Sequence, residues 1–307
     1  MKRNAVDIAQ NLFNKLWENY LGRVPYARIY ADLIKRKGGQ LVIDHIAFRT
    51  LKTHTGEQPD GISDIRHIIK CFGYQPAGKY TFTKKKIDAI HFEHPDKQLP
   101  KIFVSQLRVE QLPEWAQQQI NEAVKDTPYL LSNNGIELLN RLCVDFKLPE
   151  EAADFLEADL ANYFKRPWKP PKKETVLQVN DISQYAAWVL LHGNSINHFA
   201  ALINKQNVKD LPDLVTTSKA LDSKGVPMKE VVEGNNESIL QQTATQAVKE
   251  NVEVNGEEGI EEINWTYAYF ELTRRGYTEK GGRPVLFNGF LENQARHLFS
   301  MTQTRDN

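Results

Sequence analysis

Three side chains stand where their chemistry is out of place. His45 interrupts the apolar run LVIDHIAFRT at 41–50, and His198 interrupts SINHFAALIN at 195–204. Glu271 interrupts the aromatic-rich WTYAYFELTRR at 265–275. A buried imidazole wants a hydrogen-bond partner or a metal, and a buried carboxylate is costly unless it is paired or holds a cation. Two imidazoles and a carboxylate meeting from three strands would make a facial triad with open positions, the ligand set of non-haem Fe(II) oxygenases. Zinc at a catalytic site also accepts two histidines and a glutamate, so ligand type alone leaves the metal open. The competing reading is structural. In it His198 bonds to Asn194 or to backbone, and Glu271 pairs with Arg274, Arg275 or Arg49. His192, beside Gly193, ranks behind His198 as a ligand of the second half.

A fourth residue extends the pattern. Alternate residues of a strand share a face, so Leu41, Ile43, His45, Ala47 and Arg49 line one side. His45 and Arg49 would stand roughly 13 Å apart at ~3.3 Å per residue, and the guanidinium can lean back over much of that span. The remaining gap suits a small dicarboxylate held by a metal at one end and Arg49 at the other. The other histidines lie mostly in polar surroundings, and His91 and His94 would point to opposite faces of their strand. No phosphate-binding glycine loop and no G-x-S-x-G elbow occurs.

The elements that must carry these residues can be read from periodicity. Two helices are expected within 1–37, joined near Gly22–Pro25. The His45 strand is followed by a polar loop at 52–60 and a helix at 62–72 closed by Gly73. Strands are then expected near 79–82, 87–93 and 101–107. From 113 to about 171 the pattern is helical, at 115–124, 135–142 and 150–164, ending in the basic, proline-rich KRPWKPPKK at 165–173, read as a linker. A second cycle starts with a helical stretch at 182–191, the His198 strand and a helix at 211–224. Strands near 237–245 and 265–274 follow, with 252–262 as a solvated acidic loop and 287–301 as a closing amphipathic helix. The pattern predicts an α+β fold. A helical N-terminus (1–37) precedes a first βαβββ-like module (38–112), and a helical insert (113–175) separates it from a second module and terminal helix (176–307). The whole chain would be one catalytic domain.

Composition narrows the partners. The 307 residues are 41% hydrophobic and 25% charged, with 39 basic and 39 acidic residues, so no basic field exists to draw nucleic acid or an anionic membrane. The amphipathic N-terminus carries Asp7 and Glu18, unlike a signal peptide, and no apolar run nears the ~20 residues of a membrane span. Cys71 and Cys143 lie far apart with no metal or redox spacing, and are expected to be reduced thiols in a cytoplasmic protein. Oligomeric state is not legible.

DHIAFRT at 44–50, LPKIFVSQLRVEQL at 99–112, HGNSINHFAAL at 192–202, ILQQTAT at 239–245 and YFELTRRG at 269–276 together resemble the 2-oxoadipate dioxygenase/decarboxylase family. That family includes a bacterial enzyme of lysine catabolism and plant relatives, and is similar in fold to the vicinal-oxygen-chelate proteins, whose βαβββ modules pair into a metal cup. The resemblance implies Fe(II) as cofactor on His45, His198 and Glu271, with zinc or nickel able to take its place in a purified sample. It implies Arg49 as the catalytic, substrate-clamping arginine, and a 2-oxo acid with O₂ as reactants. The implied products from 2-oxoadipate are 2-hydroxyglutarate and CO₂. Ser105, Gln241 and Gln242 are the candidate pocket-lining partners of the substrate. The chain is shorter than the longer family members, which leaves part of their substrate lid unmatched. Two alternatives stand beside this reading: a zinc- or nickel-dependent lyase, isomerase or hydrolase built on the same cup, and a non-catalytic binder of a small acid.

Overall fold

The computed structural model describes residues 1–234 and 237–291. Its centre is one mixed sheet of seven strands: β1 (Ile43–Lys52), β2 (Gln75–Phe82), β3 (Ile87–Glu93), β4 (Lys101–Arg108), β5 (Ile196–Leu202), β6 (Leu240–Ala244) and β7 (Glu271–Arg275). They lie in the order β2-β3-β4-β1-β5-β7-β6, and the sheet curls into a half-barrel. In the first half β1 pairs in parallel with β4, the last strand of its module. In the second half β5 pairs in parallel with β7 in the same way. The two halves join where β1 and β5 run antiparallel, which sets Ala47 opposite His198. The two histidine-bearing strands are therefore neighbours at the seam.

The first half has the β-α-β-β-β order expected, with helix α3 (Ile62–Ile69) between β1 and β2. The second half departs from it. Only β5, β6 and β7 enter the sheet, and the segment before β6 makes just two isolated antiparallel bridges to it, Met228 with Thr245 and Glu233 with Gln242.

The N-terminal helices α1 (Ala5–Arg23) and α2 (Pro25–Arg36) form as predicted, because Ile8, Leu12, Leu16 and Tyr20 repeat at helical spacing and are buried. They cover one face of the sheet. Phe199, one residue along β5 from His198 and so on the opposite face, lies 5.0 Å from the ring of Trp17 and 4.9 Å from that of Tyr20. The other face is left for the polar residues. The insert supplies α4 (Glu114–Val124), α5 (Asn133–Asp145) and α6 (Glu150–Tyr163). A helix not anticipated, α7 (Lys173–Ile182), follows the proline-rich stretch, then α8 (Gln184–His192) and later α9 (Leu214–Asp222).

Further expectations are corrected. The stretch 252–262 is no loop: Lys249–Gly256 and Gly259–Thr266 form an antiparallel hairpin. Val252 and Val254 alternate inward while Glu253, Glu261 and Glu262 remain less buried, a period of two that the acidic composition hid. The strand expected at 265–274 is broken, since Tyr267–Phe270 is buried but irregular and β7 begins only at Glu271. Cys71 and Cys143 are not free thiols but a disulfide: α5 packs on the turn after α3 and brings their Cα atoms within 4.1 Å. A separation of 72 residues gave no local signal of that pairing. The expected helix at 287–301 is irregular over 287–291, and the rest lies outside the described residues. Among the described residues no helix is long and apolar enough to cross a membrane.

Candidate metal centre

His45, His198 and Glu271 meet, with one ligand atom from each lying within 4.8 Å of the others, all buried. His45 Nε2 is 3.2 Å from His198 Nε2 and 3.6 Å from Glu271 Oε1, and His198 Nε2 is 3.6 Å from Glu271 Oε2. Register explains the convergence. His45, Ala200 and Glu271 occupy one row across β1, β5 and β7, so the two outer side chains lean over the methyl of Ala200. His198 stands two residues along β5 on the same face.

Each histidine sits beside a β-bulge. The β1–β5 ladder slips between Ile43 and His45, leaving Asp44 unpaired, and again between Ala47 and Phe48, where Asn197 is passed over. A bulge re-aims the extra residue, and here both extra residues turn toward the ring of the histidine that follows. Asp44 Oδ2 is 2.8 Å from His45 Nδ1, and Asn197 Oδ1 is 3.0 Å from His198 Nδ1. Both oxygens are acceptors, so each Nδ1 donates and both Nε2 lone pairs point into the gap between the rings.

Electrostatics sharpen the arrangement. Burial alone would raise the Asp44 carboxyl, but the Arg275 guanidinium overrides it and holds Asp44 well below the usual carboxylate range. Burial, with His45 and Arg49 nearby, pushes the His198 imidazole well down and keeps it neutral. Burial raises the Glu271 carboxyl above its ordinary value. Glu271 Oε1 accepts from Gln242 Nε2 at 2.5 Å and from Thr273 Oγ1 at 2.7 Å, whereas Oε2 is buried with no hydrogen-bond partner among the described residues. Two opposed imidazole lone pairs and an orphaned carboxylate oxygen are an unfavourable group by themselves, and a divalent cation between them resolves all three. The residues present fit a metal ion.

The same small cavity holds Arg49, with Ser105, Asn197, Tyr269 and Phe290 on its walls. Arg49 is fully buried, its charge centre 5.2 Å from the ring centres of both Tyr185 and Trp188, and desolvation lowers its pKa. Ser105 Oγ donates to Phe48 O at 3.1 Å and accepts from the Tyr185 hydroxyl at 2.8 Å. Of the two glutamines, Gln242 supports Glu271, while Gln241 points to the other face of β6, where its Oε1 accepts from Arg274. The geometry thus separates Gln241 from the centre. His192 is also apart from it: its Nε2 donates to Thr266 O at 3.0 Å, and burial takes its pKa to about 3.

Asp44 and Asn197 were not singled out in the sequence, and Arg275, weighed as a partner of Glu271, pairs with Asp44 instead, yet a signal was present. Both candidate histidines follow a residue with a short oxygen-bearing side chain, Asp44-His45 and Asn197-His198. Asn197 lines the cavity, and its Nδ2 is buried without a hydrogen-bond partner among the described residues.

Comparisons with known proteins bear on the family and the fold. The family model described as 2-oxoadipate dioxygenase/decarboxylase matches residues 21–306. The chain is 23% identical over 261 residues to a chloroplastic/amyloplastic 2-oxoadipate dioxygenase/decarboxylase of Oryza sativa subsp. japonica, covering 80% of this chain and 64% of that protein. The chloroplastic counterpart of Arabidopsis thaliana is 25% identical, covering 74% of this chain and 58% of its own length. The chain therefore spans less than two thirds of the curated relatives it matches. Among solved structures, a glyoxalase superfamily protein of Ralstonia eutropha JMP134 superposes with a TM-score of 0.84 at 25% identity, over 94% of this chain and 87% of that one. The hydroxyglutarate synthase of Oryza sativa, solved in complex with 2-oxoadipate, shares the fold with a TM-score of 0.75 at 22% identity, over 97% of this chain and 93% of that one.

Proposed function

Because the chain belongs to the 2-oxoadipate dioxygenase/decarboxylase family, we propose that it is an Fe(II)- and O₂-dependent dioxygenase/decarboxylase of a 2-oxo dicarboxylic acid. The substrate of this reading is 2-oxoadipate, converted with one O₂ into 2-hydroxyglutarate and one CO₂. The paired-module, vicinal-oxygen-chelate form of the fold belongs to the same reading. The observation that carries it is the set of unspent lone pairs on His45 Nε2, His198 Nε2 and Glu271 Oε2, opening on the cavity that Arg49 lines.

His45, His198 and Glu271 would hold the ion, which when bound supplies the redox chemistry that couples O₂ activation to loss of CO₂. The remaining work falls to the chain. Asp44 and Asn197 keep both imidazoles in the Nδ1–H form, so that each offers Nε2. Arg49 supplies a desolvated positive charge for the carboxylate at the far end of the substrate, where low dielectric strengthens the pairing. Asn197 Nδ2 offers a hydrogen bond to a substrate oxygen. Ala47, Phe103 and Tyr269 exclude bulk water from the reacting end.

The experiment is O₂ uptake by anaerobically Fe(II)-loaded protein across 2-oxo acids of graded chain length. Uptake matched one-to-one with CO₂ release, greatest with 2-oxoadipate, is the expected result. Metal binding without O₂ consumption would instead point to the lyase, isomerase or hydrolase alternative, and absence of metal binding to an acid-binding protein.

A further inference from the structure

The cavity beside the three ligands measures about 30 Å³. That is room for one or two water molecules and far too little for a dicarboxylic acid. The other walls come from β1, β4 and β5 in the interior of the sheet and from the buried Tyr269. One wall does not. Phe290 belongs to an irregular strap, residues 287–290, that crosses the centre after the Arg283–Leu286 strand. Its ring lies edge-on to His45 at 5.0 Å, and at 5.3 Å from His91 and 5.0 Å from Phe103.

Among the described residues five hydrogen bonds fasten the strap. The Phe287 N–H donates to Gly276 O at 2.9 Å, Arg275 Nη1 donates to Phe287 O at 3.1 Å and Gly289 O at 2.8 Å, Asn288 Nδ2 donates to Glu93 Oε2 at 3.4 Å, and the Phe290 N–H donates to the Tyr80 hydroxyl at 3.1 Å. A segment held by a handful of hydrogen bonds and one buried ring opens at far lower cost than a central strand. The same Arg275 grips Asp44 behind His45, so the fastening of the strap and the aim of one ligand share a residue.

We propose that Phe290 is a displaceable plug: its ring leaves the cavity to admit an anionic oxo acid to the metal, and the space it vacates, bounded by Phe103 and His91, sets the chain length accepted. The acid class rests on the function proposed above. The plug itself does not, because it follows from the volume and the fastening.

The test uses the full chain loaded with Co(II), whose absorption reports the ligand environment without turnover. Wild type is compared with Phe290→Ala, Phe290→Leu and Phe290→Trp. Two quantities are read: the rate at which a chelator strips Co(II), and the spectral change caused by 2-oxo acids of increasing length. Stripping is expected to quicken by roughly tenfold in Phe290→Ala, to be intermediate in Phe290→Leu and to slow in Phe290→Trp, following the fraction of time the cavity is open. The acid giving the largest change is expected to lengthen as the side chain shrinks. Should Phe290→Ala fail to fold, the Leu–wild type–Trp series still ranks the plug by size. Stripping rates and chain-length profiles that are alike across the series overturn the proposal, even if acids bind. Stripping that follows side-chain size while no acid perturbs any spectrum upholds the plug and removes the acid reading instead.

Discussion

Arg275 holds Asp44 with two hydrogen bonds, Nε to Oδ1 at 2.6 Å and Nη2 to Oδ2 at 2.8 Å, in an interior where both are almost fully buried. The fork geometry of the guanidinium fixes the carboxylate plane, and Asp44 Oδ2 also takes the Nδ1 proton of His45. A ring orientation at the candidate metal centre is thereby set by a residue two strands away in the sheet order, on β7.

Asp44→Asn should weaken metal binding by roughly 10- to 100-fold, the usual cost of losing a partner behind a ligating histidine. Competition against a chromophoric chelator measures this. His45→Ala should abolish binding in the same assay, so the two variants separate orientation from ligation.

Glu271→Gln links the centre to pH. The raised pKa of folded Glu271 means that the metal-free protein takes up a proton there more readily than the unfolded chain. Its contribution to stability is full below the ordinary value near 4.5 and is lost as pH rises through the folded value. In the metal-free state Glu271→Gln should therefore gain on wild type as pH rises, by about 2 °C in Tm for each roughly 1 kcal/mol. With metal added the order should reverse, because only the glutamate binds it as an anion. Asp64, which burial pushes up to about 7, has the same sign of pH dependence in both proteins and cancels in the difference. Thermal unfolding from pH 4 to 8, with and without metal, measures all of this.

Arg49→Ala should raise KM for a dicarboxylic 2-oxo acid by roughly 10- to 100-fold, the worth of a charge-assisted pair, and leave metal content unchanged. Arg49→Lys should recover little, since an ammonium lacks the planar, forked donor set that pairs with a carboxylate through two hydrogen bonds. Loss of metal in Arg49→Ala would assign the residue a structural role.

Cys143→Ser should lower stability to denaturant by about 2–4 kcal/mol, as expected for opening a long cross-linked loop, without changing metal affinity. Reductant should lower wild type to the level of the variant and leave the variant where it is. Urea unfolding with and without a thiol decides it.

These particulars show what a sequence exposes and what it conceals. His45, His198 and Glu271 were legible because each breaks an apolar run, and a polar residue in such a run needs a reason. The strands that bear the two histidines were legible from the apolar runs themselves, whereas the strand of Glu271 begins only at that residue. Their parity on β6 was not: Gln241 and Gln242 are adjacent and alike, and only the register against Arg274 and Thr273 tells which one faces Glu271. The two bulges escaped because a one-residue slip leaves no mark in composition. The disulfide and the Arg275–Asp44 pair escaped because each joins residues distant in the chain, 72 and 231 positions apart. The hairpin over 249–266 escaped because its exposed glutamates outnumber its inward valines.

The antiparallel join of β1 and β5 has one more consequence. His45 belongs to one half of the polypeptide, His198 and Glu271 to the other, so a bound cation is a rivet driven through the joint between them. Neither half, expressed alone, could retain it. Two fragments severed within the connecting helices should find each other more tightly in the presence of the ion than in its absence.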